Sequence, residues 1–506
     1  MPSSPDPSSS PTSSDGGPQK AAASFQYDPE LFRQTLTFIS EKNYHGLALL
    51  ARQKGVPPFL RFRVWAVLLK HHPFVAAPFV QPDSFDKEKS SSELDLEEYE
   101  THLQKKIRKD LRRYMHRVAY LSAEEPLSQT ELQLFDIVEN AVFKFVVKWG
   151  KIIRYDLALT WIALGLAEWF PPIPHTPWVL LGREVSSEQH TCIGSLFDDY
   201  EEYIESHENL RQSLDSMVND EANMRFHEVY ERLALVLLHS PEAANKRMKS
   251  ENFKIDKLTL PVSGGTIEER VSFFIYVFQR MLPELSQYFQ EEEILNKFGL
   301  HDDEWVLWWL KYCGLKVWAR VDRGRVWDLI IGWRPQSRKA EKLVLSDSVL
   351  AKLGPDAFWS VDYEDEPVLV KGDSFSDLIN DLHIEKTPPL SPLLELEQSD
   401  DVKNTIPFCK VDPHIELLFV ALSLLKAKEN TLVELDQHEI RTFLSRLPAK
   451  SYKLSDKYKQ YQEQKDRQRG SVHNDHGLRY DYMDSIIYEA GELWRKWLWL
   501  EVNGDS

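Results

Sequence analysis

The chain has 506 residues, with 79 acidic against 61 basic side chains and a formal net charge of -18. Its isoelectric point near 5.4 excludes a general nucleic-acid binder, because phosphate contacts need a broadly basic surface. A hydrophobic content of 42% with 15 Trp and 25 Phe supports a large core and roughly two to four domains, while Cys192, Cys313 and Cys409 are too scattered for a disulfide framework or a zinc site and read as reduced thiols of an intracellular protein.

Residues 1–24 are Ser/Pro-rich without an apolar signal region, and they lack the apolar content that offsets ordering entropy, so a disordered arm is expected there. From Phe25 to about Phe170 apolar residues recur at helical spacing, as in Phe32, Leu36 and Phe38, Leu47 to Leu50, and Leu132 to Trp149. The charged, Ser-rich stretch Asp83 to Glu100 is expected to be a surface loop. Further helical blocks follow over Ile193–Leu238, Ile267–Gln290 and Glu304–Trp333, closing a main helical part at 25–333. Residues 334–410 are polar and weakly periodic, with TPPLSP at Thr387–Pro392 and the acidic run LELEQSDDV, and read as an insertion with disordered parts. Helical spacing returns at Ile415–Lys426 and Glu439–Leu447, within a closing part at 411–448. A polar linker, 449–481, leads to an amphipathic helix over Tyr482–Val502 within 482–506. Strand signals are sparse, so the expected fold class is all-α. The longest apolar window, Leu157–Ala167, is too short to cross a bilayer, so no integral membrane segment and a cytoplasmic location are expected. The Trp-rich end, AGELWRKWLWLEV, could lie at a membrane interface, but its flanking acids oppose anionic lipid, and docking onto the core is favoured. TPPLSP has the composition of a phosphorylation or proline-recognition site, which is also common in disordered insertions.

The chain contains no GxxxxGK[ST] phosphate loop, GxGxxG, GxSxG or HExxH. His71 and His72 are adjacent and cannot share a helix face as paired ligands do, so they read as surface or rim side chains. No metal, no cofactor and no self-contained active site are called for. The most structured motif is GVPPFLRFRVWAVLL, Gly55–Leu69. Gly55 and Pro57-Pro58 form a turn that ends one helix and starts another. Leu60, Val64, Val67 and Leu68 then line one face, with Arg61 four residues from Trp65. On residue chemistry this is a core helix with an Arg-Trp stack. In IRKDLRRY, Ile107–Tyr114, a helical wheel puts Leu103, Ile107, Leu111, Tyr114 and Val118 on an apolar face and Lys106, Asp110, Arg113 and Arg117 on one flank, with Arg113 at the surface. A solvated face is the plain reading, Asp110 pairing with Lys106 or Arg113 for a few tenths of a kcal/mol each.

These motifs occur in an order similar to that of TBC domains, the helical domains of Rab GTPase-activating proteins. GVPPFLRFRVWAVLL resembles the family's opening Gly-aliphatic-Pro turn with Leu-Arg and Val-Trp, matched by Gly55, Pro57, Arg61 and Trp65. Ile107, Asp110 and Arg113 match the second motif, with Tyr114 in place of its threonine. MLPELSQYF resembles the Pro-x-Leu element, GRVWDLII the Arg-aliphatic-Trp-Asp helix through Arg325, Trp327 and Asp328, and FVALSLLKAKENTLVELD the closing helix. The landmarks span roughly Gly55 to Pro448. The resemblance implies a GTP-bound Rab-type GTPase as partner and a role for Arg113 as an arginine finger entering its nucleotide site. A planar guanidinium supplied in trans is worth roughly a thousand- to a hundred-thousandfold in GTP hydrolysis, about 4 to 7 kcal/mol.

The family's third motif adds a glutamine that positions the attacking water. Here Tyr155 matches its tyrosine, but Leu157 stands at the glutamine position and Ala158 at the glycine, and WGKIIRYDLALTWIALGLAEW contains no glutamine. Leucine neither donates nor accepts a hydrogen bond. Two readings stay open: a weak activator acting through Arg113, and a non-catalytic TBC scaffold that uses the same surface for binding GTPases or other proteins. His45–Arg61 and Lys148–Trp169 together resemble the fungal oxidant-induced cell-cycle arrest protein 5 family, whose name implies a link to arrest under oxidants. None of the three cysteines shows the environment of a reactive thiolate.

Overall fold

The computed structural model describes residues 29–83, 93–118, 127–182, 191–207, 209–240, 264–295, 304–334, 357–358, 412–447 and 482–503. The expected arm at 1–24, the linker at 449–481, TPPLSP, Cys409 and all of the 334–410 insertion except Arg334, Ala357 and Phe358 lie outside the described residues.

The architecture is helical almost throughout. Helices α1 (Pro29–Ser40) and α2 (Tyr44–Lys54) lead through a short 3-10 turn at Pro58–Leu60 into α3 (Arg61–His71) and α4 (Pro73–Ala76). Then come α5 (Glu93–Val118), α6 (Gln129–Trp149) and α7 (Leu157–Ala167). After a small hairpin come α8 (Glu201–Glu205), α9 (Leu210–Val218), α10 (Phe226–Leu237), α11 (Ile267–Met281), α12 (Pro283–Glu291), α13 (Glu304–Leu310), α14 (Arg320–Ile331), α15 (Pro413–Leu432), α16 (Gln437–Ser445) and α17 (Tyr482–Asn503). Local chemistry sets many of the boundaries. Asn43 accepts from the Gly46 amide at 2.9 Å to start α2, and Ser128/Glu131, Thr266/Glu269 and Asp436/Glu439 form reciprocal capping boxes on α6, α11 and α16. Pro283 divides the expected Ile267–Gln290 block into α11 and α12.

Helix α6 packs against α5, α7 and α10, while α14 packs against α2, α3, α10 and α15. One continuous apolar cluster runs through all of these helices and includes Trp65, Trp169, Trp309, Trp318, Trp327 and Trp497 as large, fully buried side chains. Helix α17 docks on this core as expected: Trp494 and Trp497 are buried, with Phe419 5.2 Å from Trp494 and Phe273 5.3 Å from Trp497 between ring centroids. Among the described residues no helix is long and apolar enough to cross a membrane.

Four expectations need correction. Ile193–Ser195 is not the start of a helix but a strand, β2, paired antiparallel with β1 (Trp178–Leu180) in register Val179 opposite Gly194. Glu131 of α6 fixes it from outside, accepting from the Cys192 amide and the Thr191 hydroxyl, each at 3.0 Å. The connector at Asp83–Glu100 is helical from Glu93 onward, because its acidic residues suit a helix N-terminus and no Gly or Pro interrupts them. His72 is fully buried, its ring 5.6 Å from Trp333 and 5.0 Å from Phe74. It accepts from the Phe74 amide at 3.1 Å and so caps α4, a demand that neighbouring-residue logic does not reveal. Only His71 keeps the expected rim position, stacked on Tyr44 at 4.0 Å. The fourth correction, Asp110, belongs to the site.

Candidate functional site

Helix α5 carries the exposed motif. Leu103, Ile107, Leu111 and Tyr114 are buried along one face, as the wheel requires, while Lys105, Lys106, Lys109, Arg112 and Arg113 are exposed. The side chains of Arg117 and Val118 lie outside the described residues. Asp110 is 7% exposed and therefore not part of a solvated stripe. The reason is a neighbour distant in sequence: the Tyr155 hydroxyl donates to Asp110 Oδ2 at 2.8 Å and lies 2.8 Å from Thr160 Oγ1. Burial pushes the Tyr155 phenol well above its usual value, so it remains a neutral donor to the carboxylate.

Arg113 reaches back to the other oxygen, Nη1 to Asp110 Oδ1 at 3.3 Å, with 59% of its side chain exposed. Lys106 lies over the Tyr155 ring at 5.0 Å. Arg113, Asp110 and Tyr155 thus form a connected trio from α5 and the segment that leads into α7. Thr160 and Lys106 were missed as members of it; Lys106 stands just ahead of the quoted motif and was named only as a partner for Asp110, and Thr160 had no signal. Leu157 is the first residue of α7, half-buried, beyond Asp156, whose side chain caps the helix through the Ala158 amide at 2.9 Å. No hydrogen-bonding group is offered at position 157, as the residue type dictates.

Tyr114, in place of threonine, packs edge-on to Trp161 at 5.3 Å and is 3% exposed. Burial drives its phenol far above the ordinary range. The tyrosine thus fills the α5–α7 interface, and its ring points away from Arg113's solvent side.

The other motif residues lie elsewhere, in a buried staple. Asp328 of α14, 0% exposed, accepts from Trp65 Nε1 at 2.7 Å, from Arg61 Nη2 at 2.9 Å and from the Val56 amide at 3.1 Å. The expected Arg61-Trp65 stack is present, with the guanidinium 5.8 Å from the Trp65 ring, but Arg61 sits closer to Trp169, at 4.3 Å. Gly55 ends α2 at φ 75°, where a Cβ would stand 2.8 Å from Arg325 Cδ, so glycine is required on both counts. Pro57 is buried, and its carbonyl accepts from the Leu60 amide at 2.8 Å to set the 3-10 turn. Trp327 donates to the Cys313 carbonyl at 3.1 Å. Arg325 donates to Asp484 Oδ1 of α17 at 2.6 Å, a partner on the C-terminal helix that no spacing in the sequence indicates.

Gly55, Pro57, Arg61, Trp65, Arg325, Trp327 and Asp328 are therefore inside the protein, where they fasten α2, α3 and α14 together. They do not meet Arg113. The connection runs from Tyr155, two residues ahead of α7, through Thr160 within that helix to Glu168 and Trp169 at its end, where Glu168 pairs with Arg323.

A second buried polar cluster joins the ends of α3 and α10 to α11 and the start of α15. Asp412 Oδ1 lies 2.6 Å from His414 Nδ1 and Oδ2 lies 3.4 Å from His239 Nε2, while Arg270 donates to the His239 carbonyl at 2.6 Å. Burial lowers His72 and His239 to about 3. Burial alone would raise Asp412, but His414, His239 and Arg270 bring it down to about 2. Cys192 and Cys313 are buried, and burial raises both thiols, Cys313 to about 12, the opposite of a reactive thiolate. Among the described residues no group of His, Cys, Asp and Glu is arranged to hold a metal ion.

The fold and the site together define an all-helical protein with a buried arginine-carboxylate staple and one exposed arginine set against a tyrosine-braced aspartate. No family model matches the chain. Two proteins named oxidant-induced cell-cycle arrest protein 5, from Debaryomyces hansenii and Meyerozyma guilliermondii, are 50% and 48% identical to it. The alignments cover 96% and 95% of this chain and 82% and 96% of theirs. The chain belongs to the oxidant-induced cell-cycle arrest protein 5 family. Among solved structures, the Ypt/Rab-GAP domain of Gyp1p covers 93% of this chain and 99% of that chain at 11% identity and a TM-score of 0.35, a superposition too loose to carry an argument.

Proposed function

We propose that this protein is a TBC-type regulator that binds a GTP-bound, Rab-type small GTPase on the face of α5 around Arg113, and that Arg113 acts in trans as an arginine finger without a glutamine partner. The observation that carries this reading is the state of Arg113: more than half exposed and, among the described residues, held by a neighbour three residues back at 3.3 Å. An exposed pair of this kind is worth at most about 1 kcal/mol, whereas a finger stabilises the transition state by about 4 to 7 kcal/mol. Asp110 can therefore hold the guanidinium ready without preventing its transfer to a phosphoryl oxygen. Asp110 itself stays in place because Tyr155 braces it from behind. The motif order from Gly55 to Asp328 supports the same reading, and its first and last members meet at Asp328, which accepts from Val56, Arg61 and Trp65.

Leu157 cannot orient water, and the Tyr155 hydroxyl is engaged by Asp110 and Thr160. Water positioning is thus left to the GTPase's own glutamine, and acceleration should be modest. Leu157 also favours a second reading, a scaffold that binds the GTPase without activating it. Either regulator works in the cytoplasm, where Rab-type GTPases expose their nucleotide-binding face. The oxidant-induced arrest in the relatives' name, if it extends to this chain, acts through that partner and not through Cys192 or Cys313, whose thiols are buried. The test is binding and single-turnover hydrolysis with a panel of Rab-type GTPases. Binding of the GTP-loaded form with accelerated hydrolysis supports the activator; binding without acceleration leaves the scaffold; no binding to any member refutes both.

A further inference from the structure

The segment Lys105–Arg113 holds six cations and one carboxylate in a chain whose net charge is -18. Three of the six are accounted for. Arg108 is bidentate on Glu139 of α6, at 2.9 and 2.8 Å, Arg113 rests on Asp110, and Lys106 covers the Tyr155 ring. Lys105, Lys109 and Arg112 are exposed and make no ion pair among the described residues. At about 100° per residue they project on the flank of Arg113 opposite to Asp110 and Tyr155. Such a ledge is about two turns long, roughly 10 Å. Like charges gathered at i, i+4 and i+7 repel one another and cost helix stability, so nothing in the fold itself calls for them.

We propose that Lys105, Lys109 and Arg112 form a steering ledge for the GTPase, fitting an acidic rim beside its nucleotide site and setting which GTPases this protein engages. This rests on the reading of Arg113 given above. The Arg113 guanidinium acts on the nucleotide, within a few ångströms of the reacting oxygens. The ledge lies outside that footprint and meets the protein surface that frames it. An overall acidic protein repels an acidic partner at long range, and a local cationic ledge reverses that field in one direction, raising the encounter rate and orienting the approach. Partners with a basic or neutral rim gain nothing and are disfavoured by the rest of the surface.

The experiment measures association of GTPases loaded with a fluorescent, non-hydrolysable GTP analogue, by stopped flow, at about 50 mM and about 500 mM NaCl. It compares the full-length wild type, the triple variant Lys105→Glu/Lys109→Glu/Arg112→Glu, and Arg113→Ala, with circular dichroism confirming the helix in each. In the triple variant the association rate is expected to fall at least about tenfold at low salt and to lose most of its salt dependence. Arg113→Ala, read in a separate single-turnover assay with GTP at saturating concentration, should lose acceleration of hydrolysis. A triple variant that associates at the wild-type rate and salt slope overturns the ledge, and leaves the finger standing if Arg113→Ala still abolishes acceleration. Wild-type protein that binds no member of the panel overturns both. Loss of cosedimentation with vesicles of about 30% phosphatidylserine in phosphatidylcholine, with association unchanged, assigns the ledge to a membrane and overturns it as a GTPase contact.

Discussion

Replacing Asp328 with alanine tests whether the staple holds the fold in the way its geometry demands. The wild-type carboxylate, fully buried, satisfies the Val56 amide, the Trp65 indole and the Arg61 guanidinium at once. Its removal leaves the Arg61 side chain, 3% exposed, as a buried charge without its principal counter-ion. Breaking a buried pair from one side costs about 3 to 5 kcal/mol, and each orphaned neutral donor adds about 1 kcal/mol. Because relaxation shares these losses, the expected destabilisation is about 4 to 6 kcal/mol. Urea unfolding of the full-length chain, followed by tryptophan fluorescence, measures it as a fall in midpoint at unchanged slope. Asp328→Asn, which keeps one acceptor oxygen, should lose less than Asp328→Ala. A loss below about 1 kcal/mol in Asp328→Ala would refute the claim that these motif residues are an internal fastening.

Three other outcomes follow from the same structure. His72 and His239 are buried neutral at about 3 against an unfolded value near 6.5, so below about pH 6.5 the unfolded chain takes up protons that the native one refuses. Their contribution is complete above that pH and declines as the pH falls toward 3, by about 1 to 1.5 kcal/mol from each at pH 5.5. Urea midpoints at pH 7.5 and 5.5 should differ accordingly, and His239→Phe, which keeps a ring against Phe74, should reduce the difference; equal midpoints in the wild type contradict the assignment. Trp497→Ala removes a fully buried ring between Phe273 and Phe419 and should cost about 3 to 5 kcal/mol in thermal or urea unfolding; a near-neutral effect would mean that α17 is not docked. Leu157→Gln places an amide at the start of α7 beside the trio, and should raise single-turnover GTP hydrolysis by about 10- to 100-fold; an unchanged rate argues that position 157 does not face the attacking water.

Much of the helical framework was legible because its signals are local. The Leu103, Ile107, Leu111, Tyr114 stripe has helical period, and these residues are buried as one face. Gly55 and the Pro57-Pro58 pair mark a turn by backbone chemistry alone, and α17 carries enough tryptophan that docking was its most favourable outcome. What escaped depends on contacts between segments far apart in sequence. Asp110 has the spacing of a surface carboxylate, and only Tyr155, forty-five residues on, turns it inward. Ile193–Ser195 has too few residues to show a strand period, and it is a strand because Trp178–Leu180 and Glu131 lie beside it. His72 was read as a rim residue since adjacency excludes a ligand pair, yet its imidazole was needed as a cap inside the core. Asp484 could not be matched to Arg325 from spacing of any kind, because 159 residues separate the two.

Arg113 was read correctly as exposed, for a reason only half visible in the sequence. Position on the wheel brings it to the surface, but the brace that keeps its partner Asp110 fixed is Tyr155, just ahead of α7. Helix α7 itself opens with Leu157, where the resemblance leads one to expect a glutamine.

The central claim is that Arg113 acts chemically on a bound nucleotide. Its direct test is single-turnover hydrolysis by a GTP-loaded Rab-type GTPase that the protein binds, with wild type and Arg113→Ala compared at saturating and equal concentrations. The account predicts acceleration by the wild type that Arg113→Ala loses by at least about tenfold while binding persists. Equal acceleration by both proteins, or none by either with binding intact, would contradict it.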